Sequence, residues 1–172
     1  MRSHRGSRLP TAMSDNVIFF FKFVHEVAAA AMFGTWLGTA LFMLFAHRSG
    51  NTSVVALTAR FVVDVEKIVM IAAVTLQPIS GFALGFAVGL SLTDEFWVGL
   101  SSGLYVLIVA AWLVALRLEF RIRELTREAV LASIPLPKEY FTQFRRHSAL
   151  VWPALAATVA VFALMVFQPR LS

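Results

Sequence analysis

VIFFFKFVHEVAAAAMFGTWLGTALFMLFA, running from Val17 to Ala46, is the stretch that decides the fold. Its three ionisable side chains, Lys22, His25 and Glu26, sit near one end. About 20 apolar residues, rising 1.5 Å each, cross a hydrocarbon core of roughly 30 Å. Val27–Ala46 meets that length without a charge. The whole run is about twice the apolar region of a cleaved secretory signal, so it reads as a retained span. The surplus length requires tilt or protrusion, and it places Lys22, His25 and Glu26 toward the membrane boundary.

Three further apolar runs follow, at about 68–90, 96–116 and 149–167. The composition agrees: 59% of the 172 residues are hydrophobic and mean hydropathy is +0.76. This is an all-α, integral membrane four-helix bundle, one domain over 17–169, preceded by a basic tail, 1–16, expected to be disordered. Met13 offers a second start, so no chemistry is placed on the tail. The net charge of +5 falls between apolar runs, where topology and anionic lipid account for it; nucleic acid is not an expected partner. With no Cys, disulfides, thiolate metal sites and cysteine nucleophiles are excluded.

Between the runs, Gly50–Thr52 reads as a turn and Ala56–Lys67 as a helical entry to span 2, with Asp64 and Lys67 spaced to pair. Pro78 interrupts span 2. Gly34-x-x-x-Gly38 and Gly81, Gly85, Gly89 read as close-packing faces. Trp97 suits an interfacial anchor. Span 3 is expected to continue as a charged helix over 116–132, with Leu118, Ile122, Leu125 and Ala129 on one stripe, until Pro135 and Pro137 stop it. Ten basic residues fall in the two loops opposite the termini, against five on the termini side. The positive-inside rule then gives N-out and C-out, with the span-3 extension in the cytoplasm and the chain multi-pass in the plasma (inner) membrane.

His25 is the foremost site candidate, because an ionisable residue in or near a span commonly faces a bundle or cavity. Lys22, His25, Ala29, Met32, Trp36 and Met43 share one helical face. An imidazole there could ligate a haem iron, or simply hydrogen-bond at the headgroup level. Gln77 needs a partner beside the carbonyl freed by Pro78; it is either structural or lines a site. Arg145, with Arg146 and His147, could hold a propionate or phosphate, or flank the span for lipid headgroups. His47 is too far from His25 along one helix to share its metal. No hydrolase triad, phosphate loop or zinc-protease motif is present.

The run Lys22-Phe-Val-His25, then Gly34, Gly38, His47-Arg48-Ser-Gly50 and Gln77-Pro78-Ile-Ser-Gly81, resembles a bacterial four-span family, domain of unknown function 2269. Arg117–Arg127, Pro135-Leu-Pro137 with Tyr140, and Trp152-Pro153-Ala154 extend the resemblance over about 16–169. It implies the four-span fold and no particular activity. A more distant similarity, Lys-x-x-His before a Gly-containing apolar run, is to bacterial membrane protoporphyrinogen oxidases, and implies haem b at His25 alone. Two functions follow. One is a haem-b-binding, redox-associated membrane protein with His25 as metal ligand and Gln77 and Arg145 as further cofactor contacts. The other is a non-catalytic accessory or scaffold subunit, docking a membrane-protein partner or a second copy through helix 116–132. Whether the protein is an enzyme stays open.

Overall fold

The computed structural model describes residues 15–89 and 95–169, and those residues are helical apart from short turns. Helix α1 covers Asp15–Ser49, α2 Thr52–Val65, α3 Ile71–Val88, α4 Phe96–Leu131 and α5 Lys138–Phe167. Between α2 and α3 the chain stays helical through a wide π turn, Glu66–Met70. The two therefore form one 37-residue rod, and the molecule has four long helices that meet the length and apolarity of membrane spans. The expected segments 1–14 and 90–94 lie outside the described residues.

Each rod is longer than the span read from hydropathy. α1 and α4, at 35 and 36 residues, are about 52–54 Å long, well beyond a hydrocarbon core. The helical entry to span 2, Ala56–Lys67, is most of α2 and the start of the π turn, continuous with the span, and the basic stretch 138–147 before span 4 forms the first turns of α5. The turn between α1 and α2 is only Gly50 and Asn51. Gly50 takes φ +65°, which favours glycine, and the Asn51 side chain accepts from the Ser53 and Val54 N–H groups to cap α2. Ser133, at φ 53°, closes α4 two residues before Pro135.

α4 and α5 pack along each other as an antiparallel pair, α1 lies against α3, and α2 lies against both α1 and α4. Two cores result. One gathers Met32, Trp36, Met70, Trp112 and Val151 in the section toward the termini. The other gathers Met43, Val55, Val62, Ile122 and Tyr140 in the section toward the two loops.

Several expectations change here. A Cβ on Gly34, Gly38 or Gly85 would meet open space, so these glycines do not set close approach within this chain; Gly81 alone of the first two stripes has a near neighbour. Trp97 is buried rather than an interfacial anchor. Asp64 pairs with Arg60 and Arg123, at 3.9 and 3.3 Å, while Lys67 lies over the Phe120 ring. Pro78 removes the amide hydrogen that would bond the Val74 carbonyl. The Tyr105 hydroxyl of α4 donates to that carbonyl instead, at 2.6 Å.

Candidate functional site

Each rod carries one buried stripe at spacings of three and four, the period of a helical face. On α1 it reads Met32, Trp36, Thr39, Met43, Ala46. Along the second rod it reads Val55, Ala59, Val62, Glu66, Met70, Ala73. On α4 it reads Ile108, Trp112, Ala115, Glu119, Ile122, and on α5 Tyr140, Phe144, His147, Val151, Ala154. Every stripe holds a polar residue at the same level, between the two cores. The helices thus bring Thr39, Glu66, Glu119 and His147 together in one layer, roofed by Trp112.

The layer is closed off. Glu66 is 0% exposed, Glu119 and His147 3%. Thr39 Oγ1 donates to Glu66 Oε1 at 2.6 Å, and Trp112 Nε1 donates to Glu66 Oε2 at 2.9 Å. His147 Nε2 lies 2.7 Å from Glu119 Oε1. Three donors thus serve four carboxyl oxygens. The fourth oxygen, Glu119 Oε2, is buried without a hydrogen-bond partner. A buried, unpaired carboxyl oxygen costs on the order of 1–3 kcal/mol or more. Glu66 also opens the π turn, and such wide turns recur at functional sites.

A second polar contact lies nearer the termini. His25 Nδ1 is 3.1 Å from the Gln77 carbonyl and 3.2 Å from Ser80 Oγ. Gln77 Nε2 donates to His25 Nε2, also at 3.1 Å. That arrangement requires the tautomer with hydrogen on Nδ1. The ring rests on Gly81, where a Cβ would come within 3.1 Å of Cε1. α1 and α3 are therefore clasped by His25 at the Pro78 break. Both ring nitrogens are occupied, and Gln77 Oε1 is left buried without a partner.

The structure thus brings His25 and Gln77 together. It places Arg145 elsewhere, exposed on the loop-side third of α5. By helix rise its axial separation from His25 is on the order of 20 Å. Lys22 and Glu26 pair at 3.9 Å on the exposed side of α1. Among the described residues no three His, Asp or Glu side chains form a metal-binding group.

Glu66 and Glu119 were not candidates from sequence; His147 was, as a propionate or phosphate contact beside Arg145, and the structure turns it inward to Glu119 instead. The signal was nevertheless there: each continues an apolar stripe in register, and a charge in that position is inside the bundle. Of the stripe read as Leu118, Ile122, Leu125 and Ala129 the last three are buried, and only at its first position does Glu119 take the inside place beside Leu118.

The sequence model of the family described as "Predicted integral membrane protein (DUF2269)" matches residues 19–169. No curated protein and no solved structure matches the chain.

Proposed function

We propose, from the premise that this chain belongs to the DUF2269 family of predicted integral membrane proteins, that it is a non-catalytic accessory or scaffold subunit. It docks an acidic partner through the loop-side face of α2 and α4. One observation carries this reading: a shallow groove between those helices is walled by Leu57 and Leu131 and edged by Arg60, Arg123 and Arg127, with Asp64 the one acid in its lining. Leu57 and Leu131 are 71% and 72% exposed, beside charged residues rather than in an all-apolar belt. An exposed apolar patch rimmed by charge marks an interaction surface. Arg60 and Arg123 share Asp64 and Arg127 pairs with Glu124, which leaves the rim a net positive charge that favours an acidic segment of a membrane-protein partner.

In this reading N- and C-termini face outward and the loop-side section, including 116–132, stands in the cytoplasm of a bacterial inner membrane. The excess of Lys and Arg at the loop-side helix ends supports that orientation. Because the chain has no Cys, Ser53→Cys and Asn16→Cys are clean single labels. A membrane-impermeant maleimide applied to intact cells should modify Cys at 16 and spare 53; the reverse pattern sinks the orientation. Docking is tested by native electrophoresis of mildly solubilised membranes. Arg123→Glu with Arg127→Glu should remove a high-mass complex, while helicity stays unchanged. A complex that survives both reversals, or a chain that migrates alone from the outset, rejects the docking reading.

A second reading keeps haem b on His25, as a redox-associated protein. It is favoured by the half-satisfied Gln77 amide, whose departure would free Nε2 as an axial ligand. Gln77 would then line the site, and Arg145 could reach a propionate only from another copy. Protein purified from haem-replete cells should show a Soret band that shifts with dithionite and is lost in His25→Ala; colourless protein rejects it.

A further inference from the structure

The two buried carboxyls lie in the same layer, on different helices, with donors from the other rods around them. With both ionised, the layer would hold two negative charges, and among the described residues the one group capable of positive charge bonded to either is His147. The groups facing the pair from each rod are Thr39 from α1, Trp112 from α4 and His147 from α5; Lys67, adjacent to Glu66, turns away to the Phe120 ring. Thr39 and Trp112 give Glu66 a donor at each oxygen, the pattern that suits a carboxylate. Glu119 receives one donor, at Oε1, and its Oε2 is buried and bare. A proton on that oxygen completes the inventory: Oε2–H donates toward Glu66, and the layer carries one negative charge instead of two. Burying a second uncompensated charge would be far costlier.

We propose that Glu66 and Glu119 form a binding site for one exchangeable proton, carried on Glu119 Oε2 and shared with Glu66, with His147 holding the Glu119 carboxyl in place. Release converts the carboxylic acid to a carboxylate and passes the proton to water. The ligand is a proton rather than a metal ion, because the layer offers one bare oxygen and three ready donors, and donors repel a cation.

Infrared difference spectroscopy of the full chain in lipid nanodiscs, between acidic and alkaline pH, tests this. Wild-type protein should show a carboxylic-acid C=O band that shifts in heavy water and converts to carboxylate as pH rises. Glu119→Gln should abolish the band. Glu66→Gln, which keeps an acceptor for Trp112 and presents its NH2 to the Thr39 hydroxyl, should shift its frequency and its titration midpoint, and this variant serves alone if Glu119→Gln does not fold. Absence of such a band in wild type, or a band indifferent to both substitutions, overturns the proposal. Conversion of the band at fixed pH by sodium, potassium or calcium makes the layer a cation site and overturns it equally.

Discussion

The termini-side and loop-side sections of the bundle are built from the same four rods but by different rules. Around Trp36, Met70 and Trp112 the inside is apolar and so is much of the outside: Phe20, Phe82 and Phe86 are 60%, 60% and 85% exposed. Around Met43, Val55 and Ile122 the inside is apolar but the outside carries ion pairs, among them Arg121 with Glu139 at 2.9 Å and Arg127 with Glu124 at 2.7 Å. The first is a bundle solvated by lipid, where packing and hydrogen bonds rather than water exclusion hold helices together. The second is an ordinary amphipathic bundle. The carboxyl layer lies at their boundary, where neither rule alone would tolerate it.

The sharpest way to break this comparison is at the boundary. His147→Ala should cost about 3–5 kcal/mol in reversible detergent unfolding, since it leaves a buried cavity and strips Glu119 of its one donor. A cost below about 1 kcal/mol would mean that the layer is wet. Next, Ile122→Ala in the loop-side core should cost about 2–5 kcal/mol, whereas Phe86→Ala on the lipid face should change little; equal effects would erase the distinction between the sections. Tyr105→Phe leaves the Val74 carbonyl uncapped beside Pro78 and should cost about 1–3 kcal/mol. The smallest effect belongs to Arg121→Ala, under about 1 kcal/mol, because its pair with Glu139 is half exposed and screened.

Four spans and an all-helical fold were legible because apolar runs of that length have one stable form in lipid, which leaves no backbone group unbonded. Helix ends were less legible. Lys138–His147 reads as a short basic piece apart from span 4 because hydropathy drops there, yet backbone hydrogen bonding continues through it; Ala56–Lys67, read as the helical entry to span 2, is continuous with that span. His25 and Gln77 each stood out as polar residues in apolar surroundings. Their mutual bond, across 52 residues of chain, depends on how α1 and α3 are rotated, which no local pattern records. Glu66 and Glu119 were hidden for the opposite reason: surrounded by Arg and Lys in sequence, they resemble solvated face residues until the stripe is carried through them.

The wide turn at Glu66–Met70 acts as a clutch between two halves of one rod. One residue corresponds to about 100° of helical rotation, so an added residue lets α2 and α3 aim different faces at different neighbours. α2 engages α4 as well as α1, while α3 engages α1. The arginine-edged groove and the His25 clasp are thereby set in independent phase on a single continuous helix. Glu66 sits on the coupling itself, and its bonds to Thr39 and Trp112 tie that point of the rod to both α1 and α4.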